Sequence, residues 1–255
     1  MNPCEFWPRV HGRYQRTMSR LLFKRPLVMN NTVPIISFTF DDFPRSSLFF
    51  GGEILRRFGF TGTYYASFGL MGGQAPTGEI FQAGDLKELL AQGHELGCHT
   101  FSHCHSWETG SNVFERSIAE NQKALSGLLH EARFKTFSYP ISPPRLRTKR
   151  LIGKYFVCAR GGGQTMNSGT ADLDNLSGFF LEQSRDDLPS VKSIIDRNSR
   201  ARGWLIFATH DICVTPTPYG CTPEFFEAVV QYAAASGAAV LPVAGACERV
   251  RGHAV

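Results

Sequence analysis

A chain of 255 residues with 42% hydrophobic content can bury one sizeable core, and barrels and large α/β sheets reach this length as single domains. Its 27 basic and 22 acidic residues leave a formal net charge of +5, which suits an anionic substrate or surface and gives no reason to expect nucleic acid. Seven cysteines, Cys4, Cys98, Cys104, Cys158, Cys213, Cys221 and Cys247, form no C-x-x-C pair, which argues against a disulfide framework or a cysteine zinc cluster and for a reducing, cytoplasmic setting.

In chain order, residues 1 to 33 are basic throughout, lack the apolar core of a signal peptide, and precede a chain with no run of about 18 apolar residues. Arg9, Arg13, Arg16, Arg20 and Lys24 recur at helical spacing, with only Trp7, Leu21, Leu22 and Phe23 as apolar complement. We expect a solvated basic extension, capable at most of weak contact with an anionic membrane surface. From residue 34, short runs rich in β-branched and aromatic residues predict strands at 34 to 40, 62 to 67, 94 to 99, 134 to 139, 154 to 159, 178 to 183, 204 to 209 and 238 to 243. Helical period lies between them. "AGDLKELLAQG" runs from an Asp85 cap to Gly93, and "SNVFERSIAENQKALSGLL" carries Asn112 and Glu115 as a capping pair. "CTPEFFEAVVQYAAASG" has Thr222 as cap, Pro223 at the first position and Gly237 past the end; "SSLFFGGEILRRFG" and "DLPSVKSIIDRNSR" are less regular. This alternation predicts a distorted (β/α) barrel of seven to eight parallel strands over residues 34 to 245, a single domain followed by a tail at 246 to 255, with a doubly wound sheet as runner-up. The stretch 161 to 177 reads as an irregular loop.

Polar residues collect at the C-terminal ends of the predicted strands: Asp41 and Asp42 after the first, His99 and His103 after the third, Pro140 after the fourth, His210 and Asp211 after the seventh. Barrel topology brings those ends to one face. Asp42 with His99 and His103 makes a one-carboxylate, two-imidazole set suited to a divalent ion, and a helical turn through "HTFSH" would turn both rings to one side. Asp41 is then left to act as a base toward water acidified by that ion. Taken singly each feature also has a plain structural explanation, paired aspartates as turn residues and His at i and i+4 as surface coincidence; their joint placement at strand ends favours the chemical one.

"TFDD", "HTFSH", "FSYP" and "LIFATHD", in this order and at these separations, resemble the motifs of the polysaccharide deacetylase family, the NodB-homology carbohydrate esterases, over about residues 34 to 245. The resemblance implies a divalent ion, zinc before others, and hydrolysis of an acetyl group on a sugar or polysaccharide. It implies Asp41 as base, Asp42, His99 and His103 as ligands, His210 as the acid that protonates the departing amine, and the turn Tyr139, Pro140 and Ile141 as the place of the substrate, with the Ile141 N–H stabilising the oxyanion. The family commonly has an arginine where this chain has Ser138, so Arg160, at the end of the next strand, is the expected replacement. An aspartate that orients His210 is also implied, and of Asp172 and Asp174 the choice falls on Asp172. A non-catalytic carbohydrate-binding barrel and a different metal-dependent amide or ester hydrolase are the alternatives.

Overall fold

The computed structural model, which describes residues 14, 17–19, 21–141 and 144–252, alternates strand and helix along the chain. Its main strands are β1 (Pro26–Val28), β2 (Ile35–Phe40), β3 (Thr63–Ala66), β4 (Glu95–Cys98), β5 (Thr136–Ser138), β6 (Cys158–Arg160), β7 (Thr170–Asp172), β8 (Phe179–Phe180), β9 (Trp204–Thr209) and β10 (Ala239–Val240). The α-helices are α1 (Glu53–Arg57), α2 (Ala83–Ala91), α3 (Ser111–Leu128), α4 (Leu146–Tyr155), α5 (Leu188–Ala201), α6 (Pro223–Ala235) and α7 (Val243–Gly252). Eight strands form one parallel sheet in the order β8-β9-β2-β3-β4-β5-β6, with β10 beside the start of β2. Between β6 and β8 the curl is spanned by an irregular segment, in which Leu176 bridges Arg160 and, three residues on, Phe179 pairs with Phe207. The fold is the distorted (β/α) barrel that the sequence predicts.

β2 and β9 are buried at every position, as strands covered on both faces must be. Alternate residues nevertheless have different company. Ile36, Phe38 and Phe40 join the layer under the helices, where the Phe38 ring meets Phe226 of α6. Ile35 faces the other way, into a cluster with Trp204, Ile206 and Cys158 that Val243, Ala246 and Cys247 of α7 close from below. Above it Trp204 Nε1 donates to Ser37 Oγ at 3.0 Å, and the hydroxyls of Thr63 and Thr136 donate to the Glu95 carboxylate at 2.9 and 2.5 Å. The first amides of α7 end on the same groups, Val243 N on Thr63 Oγ1 and Ala244 N on Glu95 Oε2, both at 2.9 Å. Gly97 sits in this row because Tyr65 fills the space; a Cβ there would lie 2.4 Å from its ring. The inward rows are therefore 35, 37, 39 in β2; 63, 65 in β3; 95, 97 in β4; 136, 138 in β5; 158, 160 in β6; and 204, 206, 208 in β9.

Several local expectations change. The strand expected at 154 to 159 begins at Cys158, because α4, amphipathic with Leu151 and Ile152 inward, runs to Tyr155. Asp85 is not the cap of α2 but lies inside its first turn, reaching back to the amide of Gln82 at 2.8 Å. α3 starts from Gly110 without a side-chain cap, whereas Thr222 caps α6 by accepting from Phe225 N at 3.2 Å. Arg9, Arg13, Arg16, Arg20 and Trp7 lie outside the described residues. Of the described residues before 34, those from Ser19 to Val28 contact the barrel: β1 pairs antiparallel with β7, inside the stretch expected to be an irregular loop, and Lys149 Nζ donates to the carbonyls of Ser19 and Leu22 at 2.6 and 2.9 Å. Residues 246–252, most of the expected tail, belong to the helical plug α7. Among the described residues no helix is long and apolar enough to cross a membrane.

Candidate active site

Extending the inward rows by one step gives the polar cluster. Asp41 stands two residues past Thr39, His99 two past Gly97 and His210 two past Ala208, while Ser138 and Arg160 are the last residues of β5 and β6. A period of two thus turns all five into the barrel mouth. Asp42 and His103 are out of step with the rows and arrive by another route. Asp42, Phe43, Thr100 and His103 all take left-handed backbone conformations, with φ of 60°, 53°, 61° and 51°. Such angles are rare without glycine and persist where packing over-determines them, as the Phe43 ring, stacked 4.8 Å from Phe81, does here. The expected helical turn through "HTFSH" is absent; no helix covers residues 99–103, and the left-handed residues perform the reversal.

One donor atom from each of Asp42, His99 and His103 lies within 4.8 Å of the others. Asp42 Oδ1 is 3.6 Å from His99 Nε2 and 3.2 Å from His103 Nε2, is buried, and makes no hydrogen bond, while Oδ2 accepts from Thr77 Oγ1 at 3.0 Å. His99 Nδ1 contacts the Ser138 carbonyl at 2.9 Å; a carbonyl only accepts, so Nδ1 carries the hydrogen and Nε2 turns a lone pair toward Asp42. Burial, aided by His103, lowers the His99 pKa to about 4 against the pull of Asp41 and Asp42, which keeps the ring neutral. An orphaned buried carboxylate oxygen facing two imidazole nitrogens fits a divalent cation with open positions.

Asp41 is tied differently. Arg160, fully buried, donates through one terminal nitrogen both to Asp41 Oδ1 and to Ser138 Oγ, the latter at 2.6 Å, and its guanidinium lies over the rings of Tyr65 and Phe180 at 5.4 and 5.2 Å. Burial alone would raise the Asp41 pKa, but Arg160, with smaller help from His99 and His210, holds it at about 2. The guanidinium from the next strand thus occupies the space beside Ser138.

His210 Nδ1 donates to the carbonyl of Tyr219 at 3.1 Å, which leaves the lone pair of the neutral ring on Nε2. Asp172 is not beside it. The amides of Arg25 and Asp174 both donate to Asp172 Oδ1 at 3.1 Å, and its other oxygen pairs with the buried ammonium of Lys149. Asp174 is held by Arg25 at 2.6 Å. Two residues of that acidic loop therefore anchor the N-terminal segment. Besides Asp41, the carboxylate that feels His210 and Arg160 is Glu182, which sequence reasoning passed over although it stands two residues past Phe180 in β8. Its Oε2 is buried without a partner, and burial, opposed by His210, pushes its pKa up to about 7. Tyr139 turns its side chain away, its hydroxyl donating to Asp174 O at 2.8 Å, whereas Ile141 is two-thirds exposed with φ of 68°.

The raised Glu182 pKa gives a signed expectation. In the folded protein ionisation is penalised, so Glu182 costs nothing below the unfolded value of 4.5 and its cost grows as the pH rises to about 7, then levels off. Glu182→Gln should match the parent in urea unfolding near pH 4.5 and exceed it by up to roughly 3 kcal/mol near pH 8. A variant less stable than the parent at the higher pH would reverse the assignment.

A family model described as polysaccharide deacetylase matches residues 29–154, a stretch that contains Asp41, Asp42, His99 and His103. Over that stretch, just under half of its length, the chain is similar to the polysaccharide deacetylase family. Solved structures of like fold include a family 4 acetyl xylan esterase from Clostridium thermocellum in complex with a cobalt ion (TM-score 0.60, 17% identity, 86% of this chain and 92% of that one). The chitin deacetylase of Colletotrichum lindemuthianum follows at TM-score 0.58 and 14% identity, covering 86% of this chain and 90% of the other. A mutant of the peptidoglycan deacetylase PdaC from Bacillus subtilis stands at 0.57 and 15%, with 88% and 94% covered. At these identities the likeness is one of fold. No curated protein matches the chain.

Proposed function

We propose that this chain is a hydrolase of the polysaccharide deacetylase family that removes an acetyl group from an acetylated sugar, using a divalent ion held by Asp42, His99 and His103. The observation that carries the reading is the orphaned Asp42 oxygen between two imidazoles, next to an aspartate kept ionised by a separate cation. A divalent ion bound there supplies Lewis acidity toward water and the acetyl carbonyl. Asp41 accepts the proton of the attacking water. With its pKa at about 2 it is always ionised near neutrality yet a weak base, so it can take a proton only from water made more acidic than bulk water. Arg160 fixes the direction in which the carboxylate presents its oxygen. The N–H at Ile141, on an exposed left-handed turn, serves the developing oxyanion. His210, through Nε2, returns a proton to the leaving nitrogen.

Untagged protein should retain zinc or a similar ion and release acetate from a panel of N-acetylglucosamine oligomers; chelation should stop release and added zinc restore it. Zinc-loaded protein that spares every acetylated sugar but hydrolyses simple esters would defeat the sugar assignment.

A further inference from the structure

We propose that Asp211 is a positioning residue for His210, acting through the hydrogen-bond chain Asp211, Thr217, Tyr219, His210. Its kinetic consequence rests on the deacetylase reading; its structural consequence does not. Although adjacent to His210, Asp211 is 2% exposed and its carboxylate is spent within the loop that follows. Oδ2 accepts from the Thr217 amide at 2.8 Å, and Oδ1 accepts the Thr217 hydroxyl hydrogen at 2.5 Å. Having given away its one hydrogen, Thr217 Oγ1 accepts from the Tyr219 amide at 3.2 Å. The Tyr219 carbonyl then accepts from His210 Nδ1 at 3.1 Å, and its ring packs edge-on at 5.7 Å from the imidazole.

The direction of every link is forced, because a carboxylate at one end and a carbonyl at the other can only accept. The base of the loop is equally fixed: Cys221 N donates to Asp211 O at 3.1 Å, and Ile212 bridges Cys221. Gly220 lies so close that an added Cβ would be 2.2 Å from the Asp211 carbonyl oxygen, so the loop admits no side chain there. A neutral imidazole has two tautomers of similar energy, and a carbonyl held at Nδ1 selects the one with its lone pair on Nε2. Asp211 decides, from three residues away along the hydrogen bonds, which nitrogen of His210 exchanges the proton.

The tautomer is read by long-range nitrogen–proton NMR on the full chain with zinc ions added, about two units above the usual imidazole pKa, the His210 signals being those missing from His210→Gln. The parent should show the Nδ1–H form. Thr217→Val should move His210 toward Nε2–H and lower kcat about tenfold with KM within about twofold, and Thr217→Ser, which keeps the hydroxyl, should restore both. Asp211→Asn, which can no longer accept both Thr217 bonds with a charge, should shift the tautomer in the same sense and serves if Thr217→Val does not fold. Retention of Nδ1–H in both variants, or a Thr217→Ser as impaired as Thr217→Val, would overturn the proposal. A protein that released no acetate would sink the deacetylase reading while the tautomer still tested the chain of hydrogen bonds.

Discussion

Arg160→Leu should be among the most damaging single substitutions in this protein. Removing the guanidinium leaves the Asp41 carboxylate fully buried with no cation hydrogen-bonded to it, a change that typically costs about 3 to 5 kcal/mol. The pH dependence carries the signature. In the parent, Asp41 has a folded pKa of about 2 against an ordinary 3.8, so its stabilising contribution is present above pH 3.8 and is lost as the pH falls through 2. In Arg160→Leu the burial that the guanidinium outweighed acts unopposed by it, the pKa rises, and the deficit should narrow as acid neutralises Asp41. Urea unfolding near pH 7 and pH 4 measures it, and the double variant Arg160→Leu/Asp41→Asn should recover part of the loss because no buried charge remains. Unfolding curves that coincide with the parent at both pH values would mean that the pair is not what holds Asp41.

The second large effect separates the two neighbouring aspartates. His99→Ala removes a ligand whose Nε2 is aimed by the Ser138 carbonyl, so zinc affinity should fall by more than about 100-fold, beyond what loss of an outer partner costs, with activity lost in step. Asp41→Asn should retain zinc within a few-fold, since its side chain is bound to Arg160 rather than aimed at the donor cluster, yet lose about 10² to 10⁴ in turnover because an amide cannot accept the water proton. Zinc content after dialysis and acetate release on the same preparations give both readings. Equal zinc loss in the two variants would show that the roles of Asp41 and Asp42 have been exchanged.

What could be read from the sequence follows the chemistry of each position. Asp41, His99 and His210 were visible because each ends an apolar run, and a strand end in a parallel barrel has one destination. Arg160 was visible for the same reason, one strand over from Ser138. The backbone turns that bring Asp42 and His103 onto His99 were not, since nothing in "DDF" or "HTFSH" announces a left-handed residue without glycine. Asp172 misled because its partner is a buried lysine 23 positions earlier, and a charge sequestered by a distant cation looks like any other in a loop. Glu182 stood in plain view at the end of a predicted strand, but an acidic residue in "LEQS" has no motif to draw attention to it.

The inward rows make the site a matter of parity. Asp41, His99, Ser138, Arg160 and His210 hold their places by counting in twos from core residues such as Ile35, Gly97, Thr136, Cys158 and Trp204, so each is bound to its strand's frame rather than to its neighbours in space. Deleting one residue inside β2 would rotate Asp41 out toward the aromatic layer and Asp42 in, leaving composition and hydrophobicity almost untouched. Removing two would shorten the strand and keep the frame. Length variation in such a chain is therefore tolerated in loops away from the turns that carry Asp42 and His103 and, within a strand, only in even steps.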